Sequence, residues 1–442
     1  MKGAEDRLLS SSCCQCSVLA ALFIVGYSLL PAQQALTLDG CIEIALRQSL
    51  NARSTENAFR SAQLAHREIG RSALPRLKLE GKALNAPNSD HFGYDAAITD
   101  GGQFSAQVGM QEVLFDGGAR SLRSDQLAVD IERLRTEQRR VERDIRYAVR
   151  VAFFDLIQSE LEVALQLQRV DDLSGYLGVV TRLFHGGRVN YTDVLKTEVR
   201  FENARVTLRR AAQTRAAAKV SLAEAMGMPH DTLFTLAGSL EPPEPPAADS
   251  LLRQVTVDSL HNLDLLIADF SIRRSMVDID LARTERLPAI ALSADVGWLS
   301  SGDNLRAPPE QRVSTVGYSI GVSIENLLFN WGMTDLRVQQ QELEAANIRL
   351  SYEQQRRALV ADAARLRIQL TSAVDQLESI DRTLKVAEDN YVLTKAQYAG
   401  GAAMALEVLS AEQLLAENRL SNLQTRGDLQ RLIARIEQLS EH

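Results

Sequence analysis

The sequence predicts a mainly helical chain with a smaller β component, built as two copies of one unit of helix, β-hairpin, very long helix and return helix. Three observations predict it. Short motifs recur at a fixed spacing of 214 residues, two segments in each copy alternate apolar with polar side chains, and proline-free helical patterns run far beyond the length of a globular helix. The composition agrees: of 442 residues, 45% are hydrophobic but only 5% aromatic. Such a chain, rich in Ala, Leu, Glu, Arg and Gln, favours helical bundles and coiled coils.

The first element is a leader. Ser17 to Leu30 is apolar, ends at Pro31 and is too short to span a bilayer comfortably, so residues 1–35 read as a secretory signal. Cys13, Cys14 and Cys16 fall inside it, and a metal site or disulfide built on them would be lost with the leader. Leu38-Asp39-Gly40-Cys41 is loosely similar to a lipoprotein box. Asp39 fits that box badly and Cys41 lies well past the apolar stretch, so Cys41 reads as a helix residue.

Two homologous copies follow. Leu114-Phe115-Asp116-Gly117-Gly118 recurs as Leu328-Phe329-Asn330-Trp331-Gly332, and Phe184-His185-Gly186-Gly187 recurs as Tyr398-Ala399-Gly400-Gly401. Asp193-Val194-Leu195 falls on Glu407-Val408-Leu409 at the same spacing, while Ala73-Leu74-Pro75 matches Arg286-Leu287-Pro288 one residue closer. The first copy occupies 36–238 and the second 251–442. The intervening 239–250 contains Glu241-Pro242-Pro243-Glu244-Pro245-Pro246, too rich in proline to be helical, and reads as a linker.

Within the first copy a helical pattern from Asn51 to Ser72 leads into a hairpin at about 77–114, where Leu77 and Leu79 alternate with Lys78 and Glu80, and Phe104, Ala106, Val108 and Met110 with Ser105, Gln107, Gly109 and Gln111. The second copy repeats it at about 289–328, with Ile290, Leu292, Ala294 and Val296 and then Tyr318, Ile320, Val322 and Ile324 as the apolar positions. Strands of this length with one apolar and one polar face fit a transmembrane barrel. They also fit a soluble sheet with one buried face, the reading that alternation alone favours.

Asp116 and Asn330 stand where an N-cap is needed, and Gly118 and Gly332 complete the strand-to-helix turns. Helical periodicity then runs over 117–184 and 331–398, each roughly 100 Å at 1.5 Å per residue. The return helices, Tyr191 to Met226 and Ala405 to Glu437, are about half as long. Gly186-Gly187 and Gly400-Gly401 neither follow strands nor carry a phosphate-loop lysine, and read as left-handed helix C-caps. Asp193 and Glu407 sit in first helical turns, where acids complement the dipole.

The chemistry classes that need clustered residues find none. The formal charge of −8, with Arg139-Arg140 and Arg209-Arg210 set among acids, disfavours a nucleic-acid partner. His66, His91, His185, His230, His261 and His442 are scattered, without metal-ligand spacing or a Ser-His-Asp arrangement, and no cofactor motif is present, so the sequence gives an enzyme reading nothing to rest on. Four strands are too few to close a barrel, and an open lipid-facing sheet is prohibitive, so a barrel reading requires several copies.

The repeat, the turns at Leu114–Gly118 and Leu328–Gly332, and the opening Leu36-Thr37-Leu38-Asp39 with Ile44-Ala45-Leu46 resemble the TolC-like outer-membrane efflux family over nearly all of the chain after the leader. The resemblance implies a homotrimer whose three sets of four strands form a 12-stranded outer-membrane β-barrel, continuous with a long periplasmic α-helical barrel. It implies a passive exit duct for efflux or type I secretion, working with a periplasmic adaptor and an inner-membrane pump of RND or ABC type. The Gly-Gly turns are then periplasmic tips and adaptor-docking points. The second tip of this family often carries two constricting acids; Glu407 matches the first, but Ser410 stands at the second, and the first copy offers Asp193 with Lys196. Arg188, near the first tip, is a candidate ion-pair partner for an acid that holds the tip shut. The rival reading is a periplasmic adaptor or structural coiled-coil protein, which shares the long helices but not the two-faced hairpins.

Overall fold

The computed structural model describes residues 35–84, 103–229, 234–241, 262–301 and 313–440. The leader, the linker beyond Glu241, both hairpin connections and His91, His230, His261 and His442 lie outside the described residues. The elements in chain order are α1 (Leu38–Gln48), α2 (Leu50–Arg71), β1 (Arg76–Leu84), β2 (Gln103–Asp116), α3 (Ala119–His185), α4 (Tyr191–Ala225), α5 (Leu263–Arg283), β3 (Ala289–Ser301), β4 (Val313–Glu325), α6 (Met333–Ala399) and α7 (Ala405–Ser440). The two long helices have 67 residues each.

The chain divides into two compact units. One comprises Met1–Ser49, Ile145–Pro245 and Leu370–Ala434. Here α1 starts at Thr37, whose hydroxyl accepts the Gly40 N–H at 3.3 Å. Its apolar face puts Cys41 and Ala45 against Val149, Phe153 and Leu156 of α3 and Leu222 and Met226 at the end of α4. Burial pushes the Cys41 thiol up to about 11, so it stays a neutral core group. Leu156 and Leu222 are fully buried, and truncating either to alanine should cost about 2–5 kcal/mol. A short parallel bridge joins Leu36 to Leu236. Beside it, Gly238 packs so closely that an added Cβ would lie 2.6 Å from Ile157 Cδ1.

The other unit comprises Leu50–Asp144, Pro246–Gln369 and Arg435–His442 and holds the sheet. Its four strands are antiparallel in the order β1-β2-β3-β4. Pairing of β2 with β3 therefore joins the two repeats, and β1 and β4 are edges. The register aligns Leu79 with Val108, Val108 with Val296 and Val296 with Tyr318 on one face. On the other it aligns Lys78 with Gly109, Gly109 with Asp295 and Asp295 with Ser319. Glycine at 109 leaves room for the Asp295 carboxylate, since an added Cβ would stand 2.4 Å from Asp295 Oδ1. A bulge between Val113 and Phe115 bends the end of β2 while returning Phe115 to the apolar face opposite Ile290.

The second hairpin stops short of the expected 328. Central β2 continues to Asp116 because Ala289 and Ile290 pair with it, whereas β4, on the edge, ends at Glu325 and leaves Leu327, Leu328 and Phe329 exposed. Beneath the sheet, α5 is capped by Asn262, whose side chain accepts the N–H groups of Asp264 and Leu265. Arg143 of α3, nearly buried, forms ion pairs of 3.0 Å with both Asp264 and Asp144. These carboxylates hold its guanidinium charged against the opposing effect of burial.

Candidate functional site

The two Gly-Gly turns fold alike because each helix needs the same ending. Gly187 (φ +71) and Gly401 (φ +80) occupy left-handed positions that close α3 and α6. Arg188 N–H donates to Leu183 O at 2.9 Å and Ala402 N–H to Gln397 O at 2.8 Å, the wide hydrogen bond of a Schellman motif. Gly186 and Gly400 precede them, their N–H groups donating to Arg182 O and Ala396 O.

One apolar cluster unites the helices of both tips. Leu173, Tyr176 and Val180 of α3, Ala204 of α4 and Tyr398 of α6 pack with Ala405, Val408 and Leu409 of α7. The rings of Tyr176 and Tyr398 are 5.4 Å apart, and the Tyr176 hydroxyl donates to Ala405 O at 3.3 Å. Burial pushes both phenols up, and the charge of half-buried Asp193 pushes them further. Nothing in the sequence singled out these tyrosines, because aromatic residues at helical spacing read as ordinary core.

Glu407 is exposed at the start of α7, and its carboxylate accepts the Met404 N–H at 3.0 Å. This is the returning half of a capping box. One oxygen is thereby engaged in starting the helix, while the group as a whole remains in water. Asp193 stands in the first turn of α4, whose N-cap, Asn190, makes no side-chain cap bond. Arg188 is exposed and forms no ion pair among the described residues.

Further along the same unit, Glu412 of α7, almost fully buried, pairs with Arg169 of α3 at 2.7 Å. Tyr391 stands in the same cleft, and burial followed by the charges of Asp172 and Glu412 pushes its phenol up to about 12. Arg419 pairs with Glu388, and Arg426 with Asp381, fastening α7 to α6.

The strand-to-helix turns are less alike than their sequences. Asp116 Oδ2 accepts the Arg120 N–H at 2.8 Å, the expected cap. Asn330 does not act this way; its amide donates to Thr334 Oγ1 at 2.7 Å, and the helix N–H of Met333 is accepted by its backbone oxygen instead of its side chain. Gly117 (φ +68) and Gly118 (φ +85) take left-handed conformations, and so do Trp331 (φ 57) and Gly332 (φ +78).

A two-faced, open-edged sheet and paired tips closed by one apolar cluster define a chain made to be one segment of a larger channel wall. The comparisons with known proteins agree. The family model described as outer membrane efflux protein matches residues 42–228 and 259–440. The chain belongs to the outer membrane efflux protein family. It is similar to the outer membrane protein VceC of Vibrio cholerae, with a TM-score of 0.76 and 17% identity over 91% of this chain and 96% of that one. It is similar to CusC, with a TM-score of 0.75 and 18% identity over 91% of each chain. It is also similar to the MtrE outer membrane channel of Neisseria gonorrhoeae, with a TM-score of 0.73 and 16% identity over 91% of this chain and 88% of that one. No curated protein matches by sequence. The chain is therefore an outer-membrane efflux protein, and among the described residues no helix is long and apolar enough to cross a membrane.

Proposed function

We propose that three copies of this chain form a passive exit duct, each contributing four strands to a 12-stranded outer-membrane barrel and its long helices to a periplasmic helical barrel. The observation that carries the reading is the exposed apolar face of the sheet. Leu79 is 78% exposed and Tyr318 82% exposed, and nothing among the described residues covers either. A soluble sheet buries such a face. Lipid can cover it only if the open edges of β1 and β4 pair with neighbouring copies, since unpaired backbone in hydrocarbon costs several kcal/mol per group. The exposed row Leu336, Leu343 and Leu350 on α6, one residue in every seven, supports helical neighbours as well.

In this duct the substrate passes unaltered from an inner-membrane pump of RND or ABC type through a periplasmic adaptor to the exterior. The turns Gly186-Gly187 and Gly400-Gly401 serve as periplasmic tips that dock the adaptor. Glu407 and Asp193, repeated by threefold symmetry, ring the closed entrance; the exposure of Glu407 at the start of α7 and the place of Asp193 in the first turn of α4 support this. Native mass spectrometry in detergent should give a trimer, and planar-bilayer recording a conducting channel. A monomeric species that stays soluble without detergent would instead favour a periplasmic coiled-coil protein.

A further inference from the structure

The sheet unit contains a recess of about 350 Å³ where α2, the base of β1 and β2 and the start of α3 meet. Arg76, Arg120 and Arg123 line it, together with Ser72, Gln111 and Asp116. Of these, Arg76 and Gln111 are paired with each other on the polar face of the sheet.

The second repeat supplies an internal comparison. By the repeat spacing its Arg337 corresponds to Arg123, and there it is neutralised by Glu285 at 2.8 Å. The residue corresponding to Glu285 is Ser72. Likewise Gln111 stands where the second repeat has Glu325, while Arg76 and Arg120 replace Ala289 and Thr334. The first recess therefore gathers three arginines and one aspartate, against one arginine and two glutamates at the matching positions. The aspartate, Asp116, is already engaged by the Arg120 N–H. No carboxylate among the described residues forms an ion pair with Arg76, Arg120 or Arg123.

Removing the partner of one arginine and adding two more surrounds one recess with like positive charge, a local field that draws an anion even though Arg76 and Arg123 reach water. Planar guanidinium forks suit oxyanions. We infer that this recess binds a phosphate- or carboxylate-bearing solute anion. The lumen as its source rests on the duct reading above, in which the polar face of the sheet meets water; a lipid headgroup would approach from the opposite face. The site concentrates anions at the base of the barrel, ahead of their exit.

Equilibrium dialysis of the full-length trimer in detergent against radiolabelled inorganic phosphate tests this. Wild type should bind one phosphate per chain, saturably. Ser72→Glu, which restores the missing partner of Arg123, and Arg76→Gln/Arg123→Gln should each weaken binding at least tenfold, and Arg123→Lys less than threefold. Circular dichroism and trimer yield identify any variant that misfolds, and the two weakening variants are independent of each other. No binding by wild type, or binding by Ser72→Glu and the double variant as tight as by wild type, overturns the inference. Loss of phosphate binding in nanodiscs containing phosphatidylglycerol, but not in neutral ones, would put a headgroup in the recess and overturn the solute assignment. Bilayer conductance of the same wild-type sample separates the two readings: phosphate binding without conductance removes the duct alone, and conductance without phosphate binding removes the anion site alone.

Discussion

Trp331 and Gly117 occupy equivalent positions and the same left-handed backbone, yet only one is glycine. The reason is space. A Cβ on Gly117 would stand 2.8 Å from Leu287 Cβ, whereas Trp331 is 86% exposed and its ring packs on Phe329. Gly117→Ala should therefore lower stability by about 2 kcal/mol, and Trp331→Gly should leave it unchanged or raise it by about 1 kcal/mol, because the left-handed conformation costs an L-residue that much. Thermal unfolding of the two purified variants checks both signs. At the tip, Glu407→Ala should cost about 1 kcal/mol as a lost cap and should also weaken cation preference and divalent block in bilayer recordings. An unchanged selectivity would leave Glu407 only its capping role. Glu412→Ala strands Arg169, which is largely buried, and should cost about 3 kcal/mol without altering selectivity.

At the scale of elements, the strand faces give a periodic prediction. Val322→Arg should destabilise the assembled protein by about 2–4 kcal/mol and Ser323→Arg by about 1 kcal/mol or less, since only the first lies on the face that the proposed barrel turns to lipid. Water-soluble maleimide should label cysteines at 78, 107, 295 and 323 and spare those at 79, 108, 292 and 322; equal labelling would refute the assignment of faces. The buried phenols predict a pH response. Tyr391 ionises at about 12 in the folded chain against about 10 when unfolded, so the folded state holds the extra proton between these values. That stabilisation is complete below pH 10 and fades as pH rises toward 12. Absorbance at 295 nm should show late-ionising tyrosines, and Tyr391→Phe should flatten the alkaline loss of stability.

The elements were readable because their determinants are local: alternation in Leu292 to Val296, a proline-free period along α6, glycines where helices turn back. What escaped depended on contacts between distant segments. Tyr176 touches Ala405 from the other repeat, so no neighbouring residue announces its place at the tip. The early end of β4 follows from its being an edge, which alternation does not reveal. Asn330 looks like a cap, yet its amide meets the Thr334 hydroxyl instead. The arginine recess was legible in principle, but only by setting Ser72 against Glu285 across the repeats.

For the whole molecule, the pairing of β2 with β3 governs the order of events in folding. Val108 cannot meet Val296 until α3 to α5 have been made and exported, because those helices lie between them in the chain. Until then the first hairpin carries open edges and an apolar face with nothing to cover them, the condition in which strands pair with the wrong neighbour. Closing so long a loop is also slow. The nascent chain thus needs to be held apart from its fellows while the helices form, and in the duct proposed above insertion of the sheet into a bilayer comes last.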